Sequence, residues 1–164
     1  MSAGSKAFWK RPAASNGRVE QPVATTQFEL VTPARTLYSG HAEMIVCRAV
    51  DGEIAFLANH MPYIGALDIG LVRIIGPGAD AETGGTGEPE IRLAVHGGFV
   101  EVKDNQVIML ADAAELAAEV DVEAARRDES EAGPAASAST EDNPNPEAED
   151  ALRWAQVRLE AASA

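Results

Sequence analysis

Three histidines, one cysteine and two neighbouring carboxylates are the residues in this chain whose types could support chemistry. His41, His60 and His96 are widely separated, and none stands in an HxH or HExxH arrangement. Cys47 has no CxxC partner, so the ligand spacing that closes a zinc site is missing. Histidines scattered in this way cap and pack more often than they ligate. Cys47 sits in the apolar run Met44-Ile45-Val46-Cys47 and reads as a small buried hydrophobe rather than a reactive thiolate. There is no Gly-x-Ser-x-Gly elbow to present a serine nucleophile. Asp51 and Glu53 flank a turn where both carboxylates splay into water, unlike paired acids whose pKa values are pushed apart. These residues predict no catalytic group, no metal and no cofactor.

A phosphate-binding loop has one candidate, Gly84-Gly85-Thr86-Gly87. A phosphate cradle needs a following Lys-Ser/Thr pair and a helix N-terminus. The neighbours here are Asp80, Glu82 and Glu88, which repel phosphate. The segment between Gly76 and Pro89 is therefore expected to be a floppy surface loop between two strands.

Bulk properties narrow the class further. At 164 residues the chain is long enough for one medium domain or two small ones. A formal net charge of −13 argues against a protein that neutralises nucleic-acid phosphates. The single cysteine cannot form an internal disulfide, so nothing points to an oxidising compartment. No run approaches the roughly 18 apolar residues of a membrane-spanning helix. Lys6, Lys10 and Arg11 have no apolar stretch behind them and make no secretory signal. The expectation is a soluble intracellular chain.

The elements that must position these residues read as follows. Residues 1–25 mix Ser, Ala, Gly, Pro and basic residues without periodicity and are expected to be a disordered tail. Phe8-Trp9 beside Lys10-Arg11 is either a solvated feature of that tail or a contact for a partner or membrane surface. Short strands are expected at Gln27–Val31, Thr36–Tyr38, Ala42–Val50, Glu53–Leu57, Ile64–Leu67, Leu71–Ile75 and Ile91–Val95. The clearest element spans His96 to Asp112. Phe99–Lys103 and Gln106–Leu110 are joined by Asp104-Asn105 alone, residues that tolerate the left-handed backbone of a tight hairpin. Gly97-Gly98 just ahead marks a bulge or a close backbone approach. Many short strands with frequent turns predict an all-β sandwich or barrel over residues 26–112.

Residues 113–164 read as helical. Asp121 is placed to N-cap a first helix beginning at Val122, and Gly133-Pro134 is expected to stop it. Residues 132–146 are a low-complexity linker of Ala, Ser, Asn and Pro. A second helix is expected from Glu147 to about Ala162, with Ala148, Ala151, Leu152, Ala155 and Leu159 forming its apolar stripe and Glu149–Arg153 an i,i+4 pair. Trp154 lies off the stripe, which leaves a sheet, another subunit or ordinary burial as its environment.

Phe28-Glu29-Leu30-Val31-Thr32-Pro33, Asp51-Gly52-Glu53 leading to His60-Met61-Pro62, and Leu67-Asp68-Ile69-Gly70-Leu71-Val72-Arg73-Ile74 together resemble the epsilon subunit of the F-type rotary ATP synthase. Gly97-Gly98-Phe99-Val100-Glu101-Val102 and Leu110-Ala111-Asp112 resemble the same family's closing hairpin, and Ala148–Ala162 its last helix. The resemblance implies an N-terminal flattened β-sandwich followed by a C-terminal α-helical hairpin. It implies a non-catalytic central-stalk subunit that grips the gamma subunit, stands on the c-ring and couples proton flow to ATP synthesis. Such a subunit is peripheral to the cytoplasmic face of the cell membrane through its complex, and its helices can reach the alpha/beta catalytic head to restrain hydrolysis.

By position, Glu53, His60 and Pro62 match family residues on the c-ring side. The residues alone also allow a solvated turn acid and a loop cap at the first two. Asp121, Arg126, Arg153 and Arg158 are the candidate regulatory positions of the helices. The nucleotide motif of some relatives corresponds to Val120-Asp121-Val122-Glu123-Ala124-Ala125, where its arginine is absent. Arg126 comes two residues later, turned by about 200° around the helix, so ATP binding is not expected. A generic β-sandwich binding module with an acidic disordered tail is the alternative.

Overall fold

The computed structural model describes residues 24–76 and 90–163. The tail expected over residues 1–25 lies outside the described residues up to position 23, as does most of the expected loop between Gly76 and Pro89. Seven strands are followed by two helices: β1 Thr26–Val31, β2 Thr36–Ala42, β3 Met44–Ala49, β4 Gly52–Leu57, β5 Tyr63–Ile75, β6 Glu90–Lys103, β7 Gln106–Leu116, α1 Val122–Ser137 and α2 Pro146–Ala162. The strands form one sheet in the order β2-β1-β7-β6-β5-β3-β4. All neighbours are antiparallel except β1 and β7.

The sheet folds over on itself, with β2 and β4 as its edges, because β5, β6 and β7 each serve two layers. Leu67 pairs Gly98 and Gly98 pairs Ala111, while Ile69 pairs His96 and His96 pairs Ala113. Asp68, Gly97 and Asp112 therefore lie side by side on one line across three strands. Along that line the inward phase switches. In β5, Leu67 is buried in the core from an odd position, whereas Val72 and Ile74 are buried from even ones. In β6 the switch runs from Leu93 and Val95 to Val100 and Val102. Each strand thus carries one inserted residue at the crease, which is why strict alternation splits it.

The expected breaks within β5 and β6 are accordingly corrected to continuous strands of 13 and 14 residues. Gly97 and Gly98 adopt φ of +65° and +115° there. A side chain on Gly98 would come within 2.1 Å of the Leu110 carbonyl oxygen, so only glycine fits. The tight hairpin at Asp104-Asn105 forms as expected, with φ of +51° and +58°.

Between the layers, Phe28, Leu30, Val100, Val102, Val107 and Met109 meet Ile45, Cys47, Phe56, Val72, Ile74, Leu93 and Val95 in a single core. β7 does not end at Asp112. It runs to Leu116, and Leu93 pairs Leu116 while Ala114 packs on the core.

The helices also differ from expectation. α1 passes through Gly133-Pro134 to Ser137, so residues 132–137 are helix rather than linker. A glycine before proline has no Cβ to clash with the proline ring, which keeps the helical conformation open to it. α2 begins at Pro146, capped by the Asn145 side chain accepting from the Ala148 N–H at 3.2 Å. Its buried residues are Ala155, Val157, Arg158 and Ala161, so the inward stripe is rotated from the expected one and Ala151 faces solvent. Val157 and Ala161 pack on Ile69 and Ala94, with Leu71, Ala117 and Trp154 around them. The helical hairpin thus lies on the outer face of the β6-β5-β3-β4 layer.

Candidate functional site

The chemistry-bearing residues remain apart. Among the described residues no three His, Cys, Asp or Glu side chains gather where a metal could sit. Cys47 is 1% exposed. Burial, with a smaller electrostatic push from Glu53, raises its thiol from 9.0 to about 12, so it stays protonated and unreactive. His96 stands edge-on to Trp154 with ring centroids 5.3 Å apart, which places Trp154 on the sheet.

Glu53 and His60 are separated by β4. Glu53 pairs Arg48 beside the two-residue turn Val50-Asp51, after which Gly52 takes φ of +128°. His60 and Pro62 follow the other end of β4, whose last residue Leu57 is roughly 13 Å from Glu53 at about 3.3 Å per strand residue. His60 lies edge-on to Phe56 at 5.1 Å, with its Nδ1 2.8 Å from the Met61 carbonyl oxygen. Its loop is held by Asn105, a residue recognised in the sequence only as a turn former. The Asn105 side chain accepts from the Asn59 N–H at 2.7 Å and donates to the Thr25 carbonyl at 2.9 Å. Its own carbonyl accepts from the Thr26 hydroxyl at 2.8 Å.

Beside that loop lies a surface the sequence reading passed over. On the outer face of the β2-β1-β7-β6-β5 layer, Ile64, Phe99 and Leu110 are 76%, 61% and 55% exposed. Phe99 pairs both Ala66 and Leu110, and Leu110 pairs Val31, so an apolar row crosses four strands. Pro62, Tyr63, Ile64, Glu101, Val102 and Lys103 line a shallow depression of about 280 Å³ at its edge. The signal was present in the alternation: with Val100 and Val102 inward, Phe99 must point out, and the facing Leu110 with it. Met61 is exposed on the neighbouring loop. Large apolar side chains are thus left open to water on one face of the sandwich.

The regulatory candidates are engaged within the chain. Asp121 caps α1, accepting from the Ala124 N–H at 2.9 Å, and Arg126 pairs Glu123 at 3.6 Å. Arg153 does not pair Glu149. It reaches Asp68 on the crease at 3.0 Å, while Glu149 accepts from the Ser139 hydroxyl. Arg158 is 9% exposed. It binds Glu115 of β7 at 3.0 Å and Asp128 of α1 at 2.9 Å, and its guanidinium carbon lies 5.9 Å from the centre of the Trp154 ring. One side chain therefore joins sheet, α1 and α2.

Comparison with known proteins agrees with this architecture. Two relatives are named ATP synthase epsilon chain. That of Streptomyces avermitilis is 36% identical over 141 residues, covering 86% of this chain and 98% of its own length. That of Brevibacillus brevis is 44% identical over 98 residues, covering 60% of this chain and 67% of its own. Among solved structures, a chain of the Euglena gracilis mitochondrial ATP synthase (OSCP/F1/c-ring) shares the fold with a TM-score of 0.63 at 22% identity, covering 98% of this chain and 99% of that one. A chain of the Tetrahymena thermophila mitochondrial ATP synthase central stalk and c-ring gives 0.52 at 14% identity, covering 84% and 96%. Residues 25–117, more than half of the chain, match the family described as "ATP synthase, Delta/Epsilon chain, beta-sandwich domain", and the chain belongs to that family.

Proposed function

We propose that this chain is a non-catalytic central-stalk subunit of a proton-translocating F-type ATP synthase, coupling c-ring rotation to ATP synthesis in the catalytic head. The observation that carries the reading is the bare apolar face of Ile64, Phe99 and Leu110 on a member of the delta/epsilon family. Part of the opposite outer face, around Ile69 and Ala94, is covered by α2, whereas this apolar one is bare and left for a partner, and the gamma subunit is the partner that fits. His60 and Pro62, on the loop after β4, are c-ring contacts in this reading, together with Glu53. Glu53 lies at the other end of β4 beside the exposed Val50 turn, so the polar c-ring loops would have to meet both ends of that strand. The chain sits at the cytoplasmic face of the cell membrane through these contacts; among the described residues no helix is long and apolar enough to cross a membrane.

Restraint of ATP hydrolysis by the helices reaching the alpha/beta head requires α2 to leave the sheet, because Arg153 and Arg158 are both engaged within the chain. Asp121 is used as a cap and the motif arginine is absent, so this reading includes no nucleotide at α1. The test is capture by a cognate gamma subunit. Burying Phe and Leu side chains contributes about 1.5–3 kcal/mol each. Phe99→Glu with Leu110→Glu should therefore lower gamma affinity more than about a hundredfold while leaving the circular dichroism unchanged. A folded double variant that gamma holds as tightly as wild type would refute the assignment.

A further inference from the structure

α2 covers Ile69, Leu71 and Ala94 but stops short of the next row of the same sheet face. That row is Arg73 directly opposite Arg92. Like charges facing each other across antiparallel strands are destabilising unless something neutralises them. The row opens into a cleft of about 530 Å³ between the sheet and the last turns of α2, lined also by Arg48, Arg153, Glu53, Glu160 and Ser163. Four of the 13 basic residues of a chain with net charge −13 thus converge on one cavity.

The guanidinium groups are only partly used. Arg48 spends its Nε on Asp68 at 3.3 Å, Arg92 its Nε on Glu90 at 2.7 Å, and Arg153 one terminal nitrogen on Asp68. Arg73 forms no hydrogen bond or ion pair among the described residues. A guanidinium has five N–H donors in a fixed fork, so most of the donors at this cleft are uncommitted. Gly70 lets the cluster close up: a Cβ there would lie 2.6 Å from the Arg48 Cβ.

We propose that this cleft binds a small multivalent oxyanion of the phosphate class, with Arg73 and Arg92 as its principal forks and Arg48 and Arg153 closing the sides. Planar forks recognise phosphate oxygens in pairs, and the volume lies in the range of small-molecule sites. Two carboxylates, Glu53 and Glu160, share the lining. They repel an anion, so binding rests on the uncommitted guanidinium donors of Arg73 and its neighbours outweighing them. One wall of the site is α2, so the anion binds only when α2 is docked and raises the docked population by the factor 1 + [L]/Kd. The site differs from the α1 cap region, where Asp121 sits.

The test is calorimetric titration of the full chain with inorganic pyrophosphate at fixed ionic strength, alongside chemical-shift mapping of its backbone amides. Expected are saturable one-to-one binding and shifts centred on Arg73, Arg92, Glu160 and Ser163. Affinity should fall about tenfold or more in Arg73→Gln, the cost of one charge-assisted hydrogen bond. Arg73→Lys, which keeps the charge and the fold but loses the fork, should fall between. Arg127→Gln, an exposed charge on α1, should bind as wild type. Three results overturn the proposal: no saturable binding at millimolar pyrophosphate, equal losses in Arg73→Gln and Arg127→Gln, or detachment of α2 in Arg73→Gln with no anion dependence in wild type. The last would assign the arginine row to the end of α2 alone.

Discussion

Arg158 is the residue on which the docking of the helical hairpin turns. Replacing it with Met keeps the aliphatic stem under Trp154 and removes the charge that joins three elements. The contact to Glu115 is the stronger, because that carboxylate is only 32% exposed and the guanidinium side chain 11%. A charge-assisted hydrogen bond in such a setting contributes about 1.5–3 kcal/mol. Asp128 is 55% exposed, so its share is that of a surface pair, about 0.2–1 kcal/mol. Arg158→Met should therefore weaken docking by about 2–3 kcal/mol, or about 30- to 150-fold in the docked-to-undocked ratio. Hydrogen exchange reads this directly. Amides of α2 should exchange faster by that factor, while those of β5 and β6 stay protected. Trp154 fluorescence in a Trp9→Phe background should shift to the red as the ring leaves His96. If the α2 amides stay as protected as those of the sheet, or sandwich and helices lose stability in step, Arg158 is not the pin and the hairpin folds as one unit with the sandwich.

Other perturbations test other joints. Asn105→Gly keeps the left-handed backbone and deletes the two side-chain hydrogen bonds to Asn59 and Thr25. At about 0.5–1.5 kcal/mol each, urea unfolding should show a loss of about 1–3 kcal/mol, and the His60 ring resonances should broaden. Ending the chain after Val120 should leave a folded sandwich, whereas ending it after Asp112 removes the rungs from Ala113 to Leu116 and should lower stability by about 2–4 kcal/mol at about 1 kcal/mol per hydrogen bond. Equal midpoints for the two truncations would show that the end of β7 contributes nothing. Cys47 gives a pH dependence of definite sign. Its thiol is raised from 9.0 to about 12 in the fold, so the folded state keeps a proton that the unfolded chain releases. Stability should be unaffected below about pH 9 and fall above it towards pH 12, by about 1.4 kcal/mol per unit. Comparing slopes with Cys47→Ala isolates the effect, and alkylation of the native protein should be negligible at neutral pH.

What could be read in the sequence was local, and what could not was set by distant contacts. Asp104-Asn105 announces its hairpin because two adjacent residues carry the whole conformational signal. Asp121 announces its cap for the same reason. The strands β5 and β6 were read as broken because the two-residue period fails at Asp68 and Gly97, and nothing nearby reveals that Asp112 fails alongside them. Pro134 reads as a stop because its missing N–H is a local fact, whereas the packing of α1 against α2 is not. Arg153 was assigned to Glu149 by helical spacing and went instead to Asp68, 85 residues away, a partner that no window along the chain contains. The Arg73–Arg92 pair is equally invisible until the register between β5 and β6 is known.

The two outer faces of the sandwich carry different apolar chemistry, and that difference has a mechanical meaning. Under α2 the fully covered contact is made by Ala94 and Ala161 with Val157 and Ile69, and Leu71, Ala117 and Trp154 are only partly covered; the two alanines contribute about 0.8 kcal/mol per methylene-sized group. Polar pins at Arg153 and Arg158 then decide whether the helix stays, and pins of this kind respond to substitution or a competing charge. The bare face offers Ile64, Phe99 and Leu110, each able to contribute about 1.5–3 kcal/mol when covered. A partner seated there is held by bulk that no single charge releases. The proposed rotor function needs one joint that does not slip and, to regulate, a second that can open. The sequence provides exposed large side chains at the first, and alanines among Ile69 and Val157 with arginine pins at the second.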